Sequence, residues 1–535
     1  MTQLSIYVFL FSVIVLLGQL FQKSTVPLAL ILVIAGMLLS FAPYAPEMQL
    51  DPNLVLNFFL PLLIYQISSF SSWKDVKKQI RPIASLSIGH VIFITALVAI
   101  VIHAVVPQMG WPLAFVLGAI ISPPDDVAIV SICEKIRMPE RIFIILEGEG
   151  MFNDAAALIL FRFGLAAAIT HTFSIVHAFS AFLLVIIGET LYGLVLGNVL
   201  GKIRQKITNT TLHMIAAIIT PFLAYIPAVM LGGTGVLATS VVGFLIGNQY
   251  SIRFTPEYRL ISFGIWPALA FAIEGLIFLL VGLDLRNILI HISVIPLATL
   301  LCYVFLIVTT VIVGRFIWVY STVILFSKLL FPHKTNPILR NSFLIAWAGM
   351  RGGISLAAAL AIPSLYFHVD GVDLRDLLIF LVLCVIIFTL IVQGLSLPYF
   401  MKKFGLDTIG QNEQYTEHLS ELHARAQMIR TAFEWLQQYK HQIKDDKKLL
   451  DEVNFYINEY QTLLKKYQNR ISEHDGKDFH DENIEAKDSA SLLLQIVKVE
   501  QKELLRLWRE EKINLRTRNK LLSLLDHQVQ RFSLI

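Results

Sequence analysis

The sequence predicts an all-α membrane protein followed by a helical domain outside the bilayer. Of its 535 residues, 56% are hydrophobic and only 15% are charged, whereas soluble domains carry about 25% charged residues. Almost uncharged runs of about 20 residues recur before Lys403, as membrane-spanning helices require. The short alternating segments of a membrane β-barrel are not the pattern here. After Lys403 the chain is charged and rich in helix formers.

Thirteen apolar segments predict about thirteen transmembrane helices. The first segment follows no Lys or Arg and precedes no small-residue cleavage site, so we interpret it as a retained span rather than a signal peptide. The eleventh has no turn signal in its middle, which favours one long tilted helix. The predicted spans are 4–22, 26–41, 53–70, 82–105, 112–134, 141–170, 174–203, 211–230, 233–249, 261–282, 289–326, 341–363 and 376–397.

Lys and Arg concentrate in alternate loops. Basic clusters lie at 74–81, 135–141 and 202–206, whereas the intervening loops hold little more than Arg286 and Arg375. Cytoplasmic loops carry such an excess of positive charge. We therefore expect the N-terminus outside, the C-terminal tail in the cytoplasm, and a multi-pass location in the inner (plasma) membrane. An odd number of spans places the two ends on opposite sides, which agrees with this orientation.

The change in composition predicts a transmembrane domain at 1–405 and a cytosolic helical domain at 406–535. Segments such as 491–508 carry apolar residues at helical spacing, which is typical of helices that pack on one another. A self-contained soluble module and a regulatory or oligomerising role both stay open for this tail. The sequence does not identify a partner for it.

The stretch SPPDDVAIV (122–130) places two prolines and two acids inside the fifth span. Pro123 and Pro124 remove two backbone donors, so the helix should break there. The carbonyls that this frees are tolerated at membrane depth only where they face protein or a cavity. Asp125 and Asp126 follow, near the positive end of the next half-helix. A proline kink with snorkelling acids is the alternative.

The stretch ILEGEGMFNDAAALILF (145–161) also carries acids inside a span. A carboxylate at the bilayer centre costs about 2.5–3.5 kcal/mol on insertion scales, so such residues indicate function. Glu149 and Asn153 share one helix face, and Gly150 leaves space one turn before Asp154. Asp154 is therefore the candidate for a titrating, cation-binding carboxylate. A buried network that only rigidifies the bundle is the alternative.

Hard cations prefer oxygen ligands. Asp154, Asp125 and the carbonyl of Pro124 can supply them, which predicts a Na⁺ site at Asp154 and Asp125. Asn153 is a further candidate at this site.

Three more charges lie within predicted spans. Arg351, in WAGMRGGISLAAAL (347–360), needs a carboxylate partner because an unpaired buried Arg is very costly. Glu149 is the predicted partner. Glu274 in the tenth span is a possible site residue, as is Arg315 in the eleventh, which is either a structural counter-charge or a snorkelling side chain.

Other kinds of site are not indicated. The three cysteines are far apart in sequence, and the histidines lack metal-ligand spacing. There is no phosphate-binding loop and no dinucleotide fingerprint. We therefore expect no catalytic residues, no cofactor and no nucleic-acid partner, and the protein is not expected to be an enzyme.

Residues 5–405 resemble the sodium/proton antiporters of the monovalent cation:proton antiporter-1 family, the bacterial relatives of sodium/hydrogen exchangers. GEGMFNDA (148–155) is similar to the family's Gly-Glu-Ser-hydrophobic-hydrophobic-Asn-Asp-Ala, and TLIVQGLSLP (389–398) resembles its closing span. The resemblance implies that Asp154 is the proton and cation site. It also implies an ion pair between Glu149 and the Arg of a later glycine-rich span, here Arg351.

The family's Thr-Asp-Pro in its broken span falls on Pro124, Asp125 and Asp126, which makes Asp125 the second acid. The resemblance further implies inverted repeats, with spans five and twelve broken and crossing near the midplane. A six-helix core bundle is expected to move against a dimer-forming bundle, so a homodimer in the lipid bilayer is expected. The prolines at 123–124 and the glycines at 349–353 supply the breaks independently.

The chain departs from the family pattern at four positions. Gly150 replaces a Ser, Pro124 a Thr, Gln66 a Glu, and Val229 another Glu. These departures leave fewer oxygens around the ion, and they bear on which cation is carried.

The resulting expectation is an antiporter that exchanges Na⁺, and also Li⁺, for H⁺ by competition at Asp154. Asn153 in place of a second acid implies electroneutral one-for-one exchange. A K⁺/H⁺ antiporter, a channel and a non-transporting sensor that signals through the tail stay open. An intramembrane aspartyl protease with Asp125 and Asp154 as its dyad would need a Gly-hydrophobic-Gly-Asp motif, which is absent from the sequence.

Overall fold

The structure is a computed structural model. It describes residues 3–21, 26, 28–41, 54–106, 108–125, 129, 138–170, 175–292, 295–330, 338–360, 362, 368–369, 372–442, 447–473 and 490–533. The predicted all-α fold class is confirmed. The described strands are a two-residue antiparallel pair, His368–Val369 and Val372–Asp373.

Helices occupy all thirteen of the predicted segments. Up to residue 403 they are α1 (Gln3–Leu20), α2 (Leu28–Ser40), α3 (Val55–Phe70), α4 (Trp73–Lys78), α5 (Ile80–Val105), α6 (Trp111–Ile121), α7 (Glu140–Thr170), α8 (Ile175–Arg204), α9 (Thr210–Met230), α10 (Val236–Leu245), α11 (Pro256–His291), α12 (Leu297–Leu330), α13 (Ile338–Trp347), α14 (Gly353–Leu360) and α15 (Leu374–Lys403).

Seven of the described helices are long and apolar enough to cross a membrane, judged by length and composition. They are α5, α7, α8, α9, α11, α12 and α15. The number of thirteen membrane crossings stays a prediction.

The predicted border between the tenth and eleventh spans, at 283–288, is wrong. Helix α11 continues through it to His291, and α12 starts just after Pro296. Pro296 suits a helix start because its missing N–H would be unpaired there anyway. The polar residues around Arg286 resemble a loop in sequence. In the structure the helix continues through them, and the Arg286 guanidinium donates to the Ser40 carbonyl at the end of α2 (3.2 Å).

Small residues set the closest helix contacts. A Cβ on Gly36 of α2 would lie 2.9 Å from the Cα of Gly282 of α11, so these two helices touch backbone to backbone. Gly193 and Gly197 of α8 likewise pack on α10 and leave no space for a methyl group. Close approach through small residues is the usual way for membrane helices to associate.

The chain divides into two compact units. The first contains Met1–Lys206, Ile215–Ile252 and Trp266–Gly410. The second contains Ile207–Met214, Arg253–Ile265 and Gln411–Ile535. The tail unit therefore includes two short segments that composition alone places in the membrane domain. The proposed functional division at 405/406 stays a prediction.

The second unit is a helical module. It contains α16 (Leu406–Gln442) from Gln411 onward, α17 (Lys447–Glu473), α18 (Ala490–Arg509) and α19 (Leu515–Ser533). Helix α18 is the amphipathic helix predicted at 491–508. Two hydrophobic clusters hold them together, one among α16, α17 and α18 and one among α16, α18 and α19. The fully buried members include Ala432, Leu436, Val453, Ile496 and Leu504.

A buried ion pair ties the segment 253–265 into this module. The Arg259 guanidinium, 6% exposed, binds the carboxylate of Asp526, which is fully buried on α19; Nε donates to Oδ2 at 2.6 Å. On the same segment, Tyr258 stacks on the ring of His213, with 3.8 Å between ring centroids. Removing one partner of a buried ion pair is strongly destabilising, so the folded unit depends on this contact.

Glu500 on α18 makes the stability of the tail unit depend on pH. It is 4% exposed, and burial raises its pKa from 4.5 to about 7, partly offset by a hydrogen bond from the Tyr460 hydroxyl. Folded Glu500 therefore keeps a proton that the unfolded chain has lost between these pH values. The free energy of unfolding falls as pH rises from 4.5 to about 7, by about 3 kcal/mol, and is level above that.

We predict that Glu500→Gln flattens this dependence in the full-length protein. Hydrogen exchange of α18, followed by mass spectrometry from pH 4.5 to 8, measures it. Glu434→Gln is the control, since Glu434 is exposed and pairs loosely with Arg430. An unchanged pH dependence in Glu500→Gln would contradict the assignment.

Candidate functional site

The two broken spans meet at their interruptions. Helix α6 ends at Ile121, and α14 starts at Gly353 after the five-residue gap that follows α13. The backbone N–H of Asp125 donates to the Met350 carbonyl at 2.7 Å, so one interruption is hydrogen-bonded to the other. The Asp125 carboxylate lies against Gly352, where a Cβ would overlap it. Glycine at 352 is therefore required for this contact.

Arg351 places a positive charge and hydrogen-bond donors at the carbonyl end of α6. Its guanidinium is fully buried, with Nε donating to the Ile121 carbonyl (2.6 Å) and Nη1 to the Gly349 carbonyl (2.5 Å). A cation is favoured at the negative end of a helix, and a carboxylate at the positive end. Arg351 lies at the negative, C-terminal end of α6. Asp125 lies beside the positive, N-terminal end of α14. Each interruption thus supplies the charge that stabilises the other.

The predicted ion pair between Glu149 and Arg351 is wrong. Glu149 of α7 instead forms a two-pronged pair with Arg315 of α12, with Nη1–Oε1 at 2.6 Å and Nη2–Oε2 at 2.8 Å. Both side chains are 1% exposed, and Arg315 also donates to the Ile345 carbonyl. Arg351 donates to backbone carbonyls instead, and Gly349 leaves room for the Arg315 side chain, which a Cβ there would strike.

Arg315 is therefore a buried counter-charge and not a snorkelling side chain. Next to the pair lies His90, fully buried at the end of a π-helical turn of α5, with Nδ1 3.9 Å from Glu149 Oε1. A π turn inside an α-helix often marks a functional region. The sequence analysis did not single out His90, because a lone His in an apolar span carries no spacing signal.

Asn153 joins α7 to the break in span five. It is fully buried, and its Nδ2 donates to the Pro124 carbonyl at 2.8 Å. The proline break frees this carbonyl, and its second lone pair can still bind a cation. The Asn153 Oδ1 atom has no hydrogen-bond partner among the described residues. This oxygen is therefore available as an acceptor for a further donor or a cation.

Three predicted site residues remain. Asp154 follows Asn153 on α7 and is half-buried. Glu274 of α11 lines the same cavity as Asp125. Asp126 lies outside the described residues.

The cavity shared by Asp125 and Glu274 has a volume of about 230 Å³. Its described walls come from α2, α3, α11 and α14, and the other described residues that line it are apolar or glycine. A cavity of this size holds more than one water molecule. A cation with part of its hydration shell therefore fits beside the two carboxylates.

Two other acids, one buried and one half-buried, have structural roles. Glu189 of α8 accepts hydrogen bonds from the backbone N–H groups of Thr234, Gly235 and Leu237, at the start of α10. A carboxylate there caps the helix and meets its positive end. Glu147 accepts from the Ser71 hydroxyl at 2.8 Å, away from the crossing. Glu189 was visible in sequence as an acid in the seventh span, but its role depends on a distant turn.

We predict that Arg315→Met lowers the stability of the detergent-solubilised protein, by about 3–5 kcal/mol, because it leaves Glu149 buried and unpaired. The double variant Glu149→Leu/Arg315→Met should recover most of this loss, since an apolar pair leaves no uncompensated charge. Thermal unfolding measures both. Arg253→Met, at an exposed position, is the control; a single variant that melts like the wild type would contradict the pairing.

Comparison with known proteins gives consistent matches. A family model described as "Sodium/hydrogen exchanger, transmembrane" matches residues 9–403. The "Sodium, potassium, lithium and rubidium/H(+) antiporter" of Bacillus pumilus is 29% identical over 507 residues, covering 91% of this chain and 72% of that protein. The "Low-affinity Na(+)/H(+) antiporter NhaS1" of Synechocystis is 30% identical over 416 residues, covering 76% and 74%.

A solved structure has the same fold. The sodium proton antiporter MjNhaP1 from Methanocaldococcus jannaschii, at pH 8, superimposes with a TM-score of 0.59. The match covers 75% of this chain and 98% of that chain, at 16% sequence identity.

Proposed function

Because the chain belongs to the sodium/hydrogen exchanger family, we propose that it is a secondary active antiporter that exchanges a monovalent cation for a proton across a cell membrane. The family membership confirms the resemblance predicted from GEGMFNDA (148–155). The named relatives are transporters and not enzymes, and the cation is a substrate and not a cofactor.

The observation that carries the proposal is the hydrogen bond from Asn153 to the Pro124 carbonyl. It ties the helix that bears Asp154 to the break that bears Asp125, so both acids belong to one polar region at membrane depth. Polar and ionisable residues inside a membrane region usually mark an ion pathway. Broken helices that cross are the usual place for the substrate in secondary transporters.

The proposed mechanism is competition at Asp154. Its carboxylate holds either a proton or a cation, and the cation has further oxygens from Asp125, the Pro124 carbonyl and Asn153 Oδ1. Carboxylate, carbonyl and amide oxygens suit a hard cation. The Glu149–Arg315 pair and Arg351 hold the surrounding helix ends in place. Alternating access then exposes the loaded site to one side of the membrane at a time.

Na⁺ is the proposed substrate, with Li⁺ as a second. A K⁺/H⁺ or mixed antiporter is the main alternative, and two observations favour it. The Bacillus pumilus relative is named for sodium, potassium, lithium and rubidium. In this chain Gly150 and Gln66 also supply no hydroxyl or carboxylate at positions where the family often has one.

The proposed arrangement in the cell follows the charge of the loops and the family resemblance. We place the protein in the plasma membrane as a homodimer, with the N-terminus outside and the tail in the cytoplasm. A non-transporting sensor would require the tail for any output. A chain truncated after Lys403 that still exchanges cations for protons would exclude the sensor alternative.

Asp154→Asn should abolish exchange, because an amide can neither bind a proton nor balance a cation. The measurement is proton release from acidified proteoliposomes, with a pH dye, after addition of Na⁺, Li⁺ or K⁺. Asp75→Asn is the matched control, since Asp75 lies in the short helix α4 and is paired with Lys78. Exchange that persists in Asp154→Asn would contradict the mechanism, and a response of the wild type to K⁺ alone would overturn the choice of cation.

Transport should be electroneutral, because Asp154 provides one exchangeable charge and Asn153 provides none. A gradient of one pH unit then supplies about 1.4 kcal/mol, and membrane voltage supplies nothing. A net charge movement would instead gain about 2.3 kcal/mol per 100 mV. A sodium jump on protein in a solid-supported membrane tests this: we expect no transient current at concentrations where the dye assay reports exchange.

A further inference from the structure

We propose that His90 is a positioning residue for exchange: its Nδ1–H donates a hydrogen bond to Glu149 in a second position of α7, through which the transport cycle passes. The inference rests on the proposed exchange function and adds to it a residue on α5. His90 does not touch the cation in this scheme. It acts through Glu149, which lies one helical turn before Asn153 on the same face of α7.

The imidazole of His90 is buried without a hydrogen bond. Its side chain is 0% exposed, and neither Nδ1 nor Nε2 has a hydrogen-bond partner among the described residues. A neutral imidazole carries one N–H donor and one acceptor nitrogen, so both capacities are unused. Buried polar groups are nearly always paired, because an unpaired one costs free energy. A second conformation that gives the imidazole a partner recovers this free energy.

Glu149 is the acceptor that the imidazole can reach. His90 Nδ1 lies 3.9 Å from Glu149 Oε1, and a hydrogen bond needs about 2.7–3.2 Å, so an approach of about 1 Å forms it. Oε1 already accepts from Arg315 Nη1 at 2.6 Å, but a carboxylate oxygen has a second lone pair. The imidazole can therefore bind Glu149 without displacing Arg315. A hydrogen bond to a charged acceptor is also stronger than one between neutral groups.

The backbone at His90 has an unusual geometry. His90 is the last residue of the π-helical turn Ser85–His90 inside α5. Such a turn bonds each N–H to the carbonyl five residues earlier instead of four, and π turns within α-helices are frequent at functional sites. A change of this turn toward α-helical geometry moves His90 relative to the rest of α5.

Helix α12 contacts this turn at both ends. Trp318 Nε1 donates to the Ser85 carbonyl at 3.1 Å, and the Trp318 ring lies against Gly89, where a Cβ would overlap it. Arg315 lies one turn earlier on the same helix. The π turn and the guanidinium that binds Glu149 are thus packed together on α5 and α12. A shift of α7 against these two helices changes the distance between the imidazole and Glu149.

The same shift changes the candidate site. Asn153 and Asp154 follow Glu149 on α7 within a turn and a half, and Asn153 Nδ2 donates to the Pro124 carbonyl. A bond between His90 and Glu149 therefore stabilises one arrangement of the site relative to the other. We expect it to affect the rate of the cycle and not the affinity for the cation, because the imidazole is not a ligand.

The test measures KM and maximal rate for Na⁺, Li⁺ and K⁺ in proteoliposomes, for wild type, His90→Leu, His90→Gln and His90→Asn. The Asn amide can place an N–H near the position of Nδ1, whereas the Gln amide reaches the position of Nε2. We expect Leu and Gln to lower the maximal rate by about tenfold or more at unchanged KM, as the loss of one hydrogen bond to a charged group implies. His90→Asn should keep most of the rate.

Thr95→Val is the matched control. Thr95 is 0% exposed on the same helix, and its hydroxyl donates to the Val91 carbonyl of that helix. Its replacement perturbs a buried polar position of α5 without touching Glu149, so the kinetics should match those of the wild type.

Thermal unfolding of the same variants in detergent separates this role from a structural one. His90→Leu removes a buried polar group that lacks a partner among the described residues, so its Tm should not fall. A lower rate together with a lower Tm in all three His90 variants indicates a structural role and overturns the inference. A wild-type maximal rate in His90→Leu overturns it as well. If His90→Leu does not fold, the difference in rate between His90→Asn and His90→Gln decides.

Failure of this inference is distinguishable from failure of the proposed function. A wild type that exchanges a cation for protons, beside a His90→Leu variant that does so equally fast, contradicts the role of His90 alone. A wild type that exchanges no cation contradicts the function, and the role of His90 with it.

Discussion

The backbone hydrogen bond from Asp125 to Met350 joins two interrupted helices whose free polar ends lie inside the membrane region. Unpaired backbone groups cost several kcal/mol each in hydrocarbon, so such ends persist only when protein groups satisfy them. Arg351 satisfies the carbonyl end of α6, and Asp125 lies at the amide end of α14. The other polar contacts of the site are arranged around this junction.

The charges near the junction have separate tasks. Arg351 binds only backbone carbonyls through its guanidinium among the described contacts, and it holds a helix end. Glu149 and Arg315 neutralise each other and link α7 to α12 without occupying the site. Asp125 and Asp154 are the carboxylates at which we propose that a mobile cation or proton binds. A transporter needs this separation, since a fixed counter-ion at the site would compete with the substrate.

Much of the site could be read from local sequence. The prolines at 123–124 and the glycines around Arg351 predicted both breaks, because each removes or weakens helix hydrogen bonds wherever it stands. The pairing of Glu149 with Arg351 could not be read in this way. Two buried arginines, 315 and 351, were available to one Glu, and both also donate to backbone carbonyls, so the pairing depends on how the helices pack. The helix border at Arg286 was wrong for a similar reason, since its partner Ser40 is distant in sequence.

The sequence by itself determined the fold class and the two breaks, and it predicted the membrane region and the acids within it. These follow from composition, from periodicity and from the chemistry of proline and glycine, all of which act within a few residues. Only the tertiary structure decided the partner of Glu149, the contact of Asn153 with the Pro124 carbonyl, and the cavity shared by Asp125 and Glu274. Those contacts join residues far apart in the chain, and they depend on how whole helices pack against one another.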